Sequence, residues 1–176
     1  MTQQGALDFG RAVVLAMDLQ EEIVTGVAAD PQGVVSRAAR VLEAARVAGV
    51  PVVYVVHRGG RFEAGGPGAE IHAGLRPAEG ERVIVKTRTG PFSTTGLDAL
   101  LREQTKDTLV LMGVATSGCV LSAVRWAADM GYRLAVVTDA CDDRDPEIHR
   151  VLTEKVFPRQ ATVMTTDEFA AALGAR

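Results

Sequence analysis

Residues 110–132, VLMGVATSGCVLSAVRWAADMGY, decide how the rest of the chain is read. The segment begins as an unbroken apolar run, which suits a strand buried on both faces. It turns through small residues, GVATSG, and then takes a helical period in which Val120, Ala123, Val124, Ala127 and Ala128 share one face. Gly131 follows the last helical residue, where a helix commonly takes its C-terminal cap, and the next apolar run starts at once. Strand, corner, helix and strand in this order leave Cys119 at the head of the helix. A thiol there is open to four readings: packing, half of a disulfide, a metal ligand or a nucleophile.

Working outward, apolar runs of strand length recur at 11–18 (RAVVLAMD), 50–57 (VPVVYVVH), 81–86 (ERVIVK), 107–114 (DTLVLMGV), 132–140 (YRLAVVTDA) and 161–165 (ATVMT). Helical patterns lie between them. Val34, Ala38, Val41, Leu42 and Ala45 share a face that ends at Gly49, Leu97, Leu100 and Leu101 mark a shorter helix, and TDEFAAAL opens on Thr166 or Asp167 as a cap. The alternation predicts an α/β fold, a parallel sheet with helices on both faces joined by right-handed crossovers. One segment departs from it. Residues 58–80, RGGRFEAGGPGAEIHAGLRPAEG, are glycine-rich and carry neither period, and loops of this length in a compact domain are functional or disordered. No repeat and no domain boundary is visible, so residues 1–176 are read as one domain.

The bulk numbers narrow the function. At 176 residues the chain is long enough for a hydrophobic core without disulfide or metal staples. A net charge of −3 and a pI near 5.6 give no electrostatic footprint for nucleic acid. No apolar run reaches the ~18 residues of a membrane span, and MTQQGALDFGRAVV lacks the layout of a signal peptide, so a cytoplasmic protein is expected. In a reducing compartment Cys119 and Cys141 are expected as thiols, with a bridge between them as the alternative. After the first strand stands AMDLQEEIVTG instead of G-x-G-x-x-G, and neither a phosphate-cradling loop nor G-x-S-x-G occurs. No cofactor is expected; the expected partner is a small-molecule substrate.

In open α/β sheets ligands sit beyond the carboxyl ends of the strands, where strand order reverses. Here strand one ends at Asp18, strand three at Lys86, and strand four leads to Cys119. With the common order 3-2-1-4-5-6, strands one and four are neighbours at the reversal, which sets Asp18 across the crevice from Cys119. A helix N-terminus and an ammonium both lower a thiol's pKa. Asp18 is placed to take the thiol proton and hand it to a leaving amine, with Lys86 holding both anions. The small residues of GVATSG let the amides of Ala115 and Cys119 face a developing oxyanion. Taken singly, each has a plainer reading: a packed cysteine, a turn-capping aspartate, a solvated lysine.

The sequence resembles the isochorismatase-like cysteine hydrolases, the family of nicotinamidases, N-carbamoylsarcosine and ureidoacrylate amidohydrolases and biuret hydrolase. The resemblance rests on AMDLQ (16–20), VIVKTRTGPFSTTGLDALL (83–101), GVATSGCV (113–120) and GYRLAVVTDAC (131–141), and spans nearly the whole chain. It implies a three-layer α/β/α fold around a six-stranded, mainly parallel sheet of order 3-2-1-4-5-6. It also implies a catalytic triad of Asp18, Lys86 and Cys119 acting through a thioester. A cis peptide between Val114 and Ala115, orienting the Ala115 amide, comes with it. The nicotinamidase branch carries a D-x-H element and further histidines for a metal, whereas VVHRGGRFEAGG offers a lone His57, and His72 and His149 have no ligand-like spacing with it. No metal is therefore expected. Isochorismatases proper hydrolyse a vinyl ether by acid catalysis, which makes Asp18 the acid in an alternative reading; a catalytically silent binding protein is the second alternative.

Candidate substrate contacts are His57, Arg58, Arg61 and Arg88, whose arginine forks match a carboxylate, against surface charge as the plain account. Phe92 is a candidate pocket wall or core residue, and Gln20 points with Asp18 to orient it or to face solvent. Cys141 is read as buried packing. A homo-oligomer, dimer or tetramer, is expected, through an apolar helix face or the insertion.

Overall fold

The computed structural model describes residues 7–63, 66 and 68–174, with the side chain of Arg61 outside that description. In chain order its elements are β1 (Ala12–Met17), α1 (Glu21–Val27), α2 (Pro31–Val47), β2 (Val52–His57), β3 (Arg82–Lys86), α3 (Leu97–Glu103), β4 (Thr108–Val114), α4 (Leu121–Asp129), β5 (Arg133–Asp142), α5 (Pro146–Val151), β6 (Thr162–Met164) and α6 (Thr166–Gly174). The six strands form one sheet in the order β3-β2-β1-β4-β5-β6, every neighbouring pair parallel. This is the order 3-2-1-4-5-6, with an α-helix in every connection except that from β2 to β3.

The apolar runs of the central strands become strands because both faces are covered. All six residues of β1 and all seven of β4 are buried; each fully buried Val or Leu is worth roughly 1.5–3 kcal/mol. The helix α2 turns Val34, Ala38, Val41, Leu42 and Ala45 inward, and α4 turns in Ala123, Val124 and Ala127. Asp30 starts α2 by accepting from the Gly33 amide at 3.0 Å, with Pro31 in the first turn. Gly49, at φ 68°, follows the end of the helix.

Two short helices carry no hydrophobic period, although Asp145 and Pro146 mark the start of the second. The first, α1, has no side-chain cap and buries only Ile23 and Val24; the second, α5, buries no residue fully. The connection from β2 to β3 is the glycine-rich insertion, in which the described residues form two single helical turns, 60–62 and 73–75, and one bridge from Gln20 to Ile71. On the edge strand β3, Val83 and Val85 remain 46% and 50% exposed.

Where β1 and β4 end, their backbones come very close. Gly113 stands at φ 144°, and a Cβ there would lie 2.0 Å from the Met17 carbonyl oxygen, so only glycine fits. Beside it β5 bulges: between the pairs Leu111 with Val136 and Gly113 with Cys141, β5 advances five residues while β4 advances two. This irregular rim, at the reversal of strand order, carries the polar groups described next. No helix among the described residues is long and apolar enough to cross a membrane.

Candidate active site

Asp18 follows β1 directly, at φ 53°, a left-handed conformation that aspartate tolerates better than most residues. Its backbone N–H donates to the Val55 carbonyl at 2.8 Å, which fixes it to the end of β2. Lys86 closes β3 and reaches inward, so that its Nζ lies 2.7 Å from Asp18 Oδ2. The ammonium also donates to the carbonyls of Arg88, at 3.1 Å, and Thr89, at 2.9 Å. With three acceptors around it, a lysine only 1% exposed has a partner for each donor it can offer.

Cys119 is also 1% exposed, and the wide turn that carries it, Thr116–Val120, runs into α4 at Leu121. Its thiol lies 3.3 Å from the Val114 carbonyl and 3.8 Å from that of Ala115. The lysine loop closes on this turn from the other side: a Cβ at Gly118 would lie 3.8 Å from Thr89 Cγ2. Asp18 Oδ1 is buried with no hydrogen-bond partner by distance and angle, yet the Asp18 and Cys119 side chains lie within interaction range and shift each other's titration. The two observations agree if the sulfur proton, free to rotate about Cβ–Sγ, is directed to Val114 at rest and is available to Asp18.

Burial dominates the electrostatics. Desolvation pushes Asp18 up from 3.8 to about 6, against the pull of Lys86 and the thiol. Burial pushes the Cys119 thiol well above its ordinary value, the Asp18 charge adds to the rise, and Lys86 only partly opposes it. The lowering expected from an ammonium and a helix N-terminus is therefore outweighed by burial. The resting pair is a neutral thiol beside a carboxyl poised near neutrality.

The Val114–Ala115 peptide is cis, and Ala115 is extended and half-buried at the head of the turn. His57 pairs in register with Lys86, and its pKa is lowered by burial and then by the Lys86 charge; its ring meets Phe62 edge-on at 5.5 Å. Arg58 turns elsewhere: its guanidinium donates to the Ala69 carbonyl at 2.6 Å and lies 3.5 Å from Glu70. Arg88 is exposed and donates to the Thr87 carbonyl. Arg61, as a side chain, lies outside the described residues.

Gln20 does not face solvent and does not contact Asp18 through any of its hydrogen bonds. Wholly buried, it donates to the carbonyls of Ala69, at 2.6 Å, and His57, at 3.1 Å, and accepts from the His57 amide at 2.6 Å. It is a tether between β1, β2 and the insertion. Phe92 is core: it stacks on Trp126 at 6.3 Å and lines, with Gly90, Leu121 and Trp126, a surface groove beside α4 that does not include Cys119.

The family model described as the isochorismatase domain matches residues 12–168. The chain belongs to the isochorismatase family. It is 35% identical over 164 residues to the streptothricin hydrolase of Streptomyces noursei, an alignment that covers 88% of this chain and 59% of that protein. The crystal structure of an isochorismatase from Pseudomonas putida superposes with a TM-score of 0.87 at 30% identity, covering 93% of this chain and 92% of that one. That of the N-carbamoylsarcosine amidase of Thermoplasma acidophilum superposes at 0.77 with 32% identity, covering 89% and 97%. The chain spans little more than half the length of several curated relatives it matches.

This isochorismatase-family chain also holds its cysteine turn by residues the strand-end argument does not reach. Thr116 Oγ1 lies 2.8 Å from His149 Nδ1, and the Ser117 N–H donates to Asp143 Oδ2 at 2.7 Å. Both partners come from DRDPEIH, residues 143–149, just after β5, a run whose sequence signals are its density of carboxylates and the Asp145–Pro146 pair that starts a helix. Cys141 is buried with its thiol 3.3 Å from the Val137 carbonyl, and both cysteines are free. Among the described residues no three His, Cys, Asp or Glu side chains gather as a metal-ligand set.

Proposed function

We propose that the chain is a cysteine hydrolase that opens a C–N bond of a small amide, ureide or carbamoyl compound through a thioester, without a metal. The observation that carries this reading is the Asp18–Lys86 ion pair, 2.7 Å long and buried against the Cys119 thiol. The similar N-carbamoylsarcosine amidase agrees with C–N chemistry.

The steps follow from the proton inventory. With its pKa near 6, Asp18 is mostly ionised at neutral pH, and the thiol is not. Sulfur attacks the substrate carbonyl carbon as Asp18 takes the thiol proton, so the nucleophile never stands free as a buried anion. Charge moves to the carbonyl oxygen, which the amides of Ala115 and Cys119 receive; one such donor is worth about 2.7–4 kcal/mol at the transition state. Asp18 then gives its proton to the departing nitrogen, the C–N bond breaks, and the acyl group rests on sulfur. Water, deprotonated by Asp18, attacks the thioester; the acid departs and the sulfur recovers its proton from Asp18. Lys86 holds Oδ2 in place throughout, leaving Oδ1 for the proton.

The test is ammonia release from a panel of small amides and ureides by wild type and Cys119→Ala, with an acyl group sought on Cys119 after acid quench. Release by wild type alone and an adduct on Cys119 are expected. Full turnover by Cys119→Ala, or no release from any member of the panel, overturns the reading. One observation favours a second: a carboxyl held near 6 beside a thiol held neutral also suits Asp18 as an acid toward a vinyl ether. Pyruvate release from isochorismate that survives Cys119→Ala selects it.

A further inference from the structure

We propose that His149 and Asp143 are positioning residues that aim the Cys119 turn from the corner between β5 and α5; the inference rests on the cysteine-hydrolase reading above. The turn Thr116–Val120 is bound to itself by backbone hydrogen bonds, Gly118 N–H to the Ala115 carbonyl at 3.1 Å and Val120 N–H to the same oxygen at 3.4 Å. Those bonds shape the turn without setting its angle to the sheet. Two consecutive residues of it, Thr116 and Ser117, are instead pinned by side chains 33 and 26 positions away, the His149 ring at 2.8 Å and the Asp143 carboxylate at 2.7 Å. Cys119 follows two residues later.

The corner is built to stay put. Asp143 donates its own N–H to Asp142 Oδ1 at 2.8 Å, and Asp142 Oδ2 accepts from the Asp30 amide, at the start of α2, at 2.7 Å. Asp145 caps α5 by accepting from Glu147 N–H at 2.9 Å, and Thr153 Oγ1 donates to the His149 carbonyl at 2.8 Å. The helix itself adds little to the core. Pro146, Glu147, Ile148 and Arg150 are exposed, while the His149 ring turns in to meet a Thr116 that is wholly buried. The core residues of this stretch, Leu152, Thr153 and Phe157, come only after α5, in the turns that continue it; within Pro146–Val151 no residue is fully buried, and the inward contact is that of His149 with the buried hydroxyl.

The reaction explains why such a clamp matters. Because the thiol is neutral at rest, attack and proton transfer to Asp18 must coincide, which demands that sulfur, carboxylate and carbonyl carbon stay aligned; an error on the order of 1 Å costs about 10²-fold. The contact is indifferent to the charge on His149. A neutral ring accepts from the threonine at Nδ1, and a protonated ring donates to it.

The probe is p-nitrophenyl acetate, read as the p-nitrophenolate burst and as the acetyl group on the peptide carrying Cys119. Expected for His149→Ala, Asp143→Ala and Thr116→Val are acylation rates lower by about 10–10²-fold, unchanged ester affinity, and a pH midpoint still near that of Asp18. His149→Asn, whose amide replaces Nδ1, Thr116→Ser and Asp143→Asn, which keeps an acceptor for Ser117, recover most of the rate. Wild-type acylation rates in His149→Ala and Thr116→Val overturn the clamp. So does a loss that His149→Asn fails to recover while both His149 variants melt early, since that marks a purely structural part. A wild type without a burst, or a Cys119→Ala variant that keeps it, overturns the hydrolase reading instead.

Discussion

The ends of β4 and β5 each carry a buried cysteine without a disulfide partner, and the two differ in what lies beside the sulfur. Cys141 sits within β5, its thiol against the Val137 carbonyl, and burial pushes its pKa to about 12. Cys119 stands beyond β4, equally inaccessible, and burial pushes it upward too, but the Asp18–Lys86 pair faces it. Burial and a depressed pKa therefore do not separate them. What separates them is the kind of neighbour: Asp139 and Asp142 act on Cys141 through space, whereas the Asp18 side chain lies within reach of the Cys119 proton, and on the proposed reading reactivity belongs to that neighbour across the β1–β4 junction.

The largest predicted effect sets the two sulfurs directly against each other. Cys119→Ala lowers turnover by about 10⁴-fold or more, as loss of a nucleophile does in other hydrolases, while leaving the melting temperature nearly unchanged or raised. Cys141→Ala does the reverse: it keeps turnover and loses on the order of 1 kcal/mol of stability to a small cavity. Steady-state rates and thermal melts of the pair check this. A Cys141 variant that loses activity with the fold intact breaks the distinction.

Lys86→Met sharpens it next. The ammonium lowers the pKa of both Asp18 and Cys119, so its removal lets burial raise both further. The expected result is a turnover loss of about 10²-fold at neutral pH that is partly regained toward alkaline pH. A flat loss at every pH assigns Lys86 a positional part alone.

The wild-type pH profile is the third test. Activity that needs the Asp18 carboxylate rises with pH through about 6 and shows no second rise between 8 and 9, because the Cys119 thiol titrates well above that range. An enzyme attacking from a preformed thiolate rises with the thiol instead. Asp18→Asn abolishes the limb near 6 together with most of the activity.

The strand ends were legible in the sequence because the central strands are buried on both faces and even the more exposed edges β3 and β6 keep apolar runs: those runs give the strands, and the polar residues that follow give the rim. That logic reaches Asp18 and Lys86 directly, and Cys119 through the short corner that follows β4. It fails where a partner is distant or a shift depends on burial. Gln20 reads as a solvent-facing or acid-orienting residue until Ala69, 49 positions away, is folded against it. The Cys119 thiol reads as acidified until desolvation is weighed against one ammonium. The helix α5 has six residues and no buried face, so no period announces it, and its contact with Thr116 is invisible in one dimension.

The smallest effect is thermodynamic and isolates Asp18 from every other carboxylate. Its folded pKa of about 6 lies above the ordinary 3.8, so between those values the folded chain holds a proton that the unfolded chain has released. Stability contributed at this site is therefore greatest at low pH and declines as pH rises through the window. Carboxylates held low by partners, such as Glu81 beside Arg46, act in the opposite sense and gain stability with rising pH. Subtracting the Asp18→Asn denaturation curves from those of wild type across this window cancels those contributions and leaves Asp18 alone. The wild type should lose stability relative to the variant as pH rises, because ionising a desolvated carboxylate costs more than Lys86 returns. A difference of the opposite slope means that Lys86 outweighs burial, and Asp18 would then be too weak a base to take a proton from the thiol beside it.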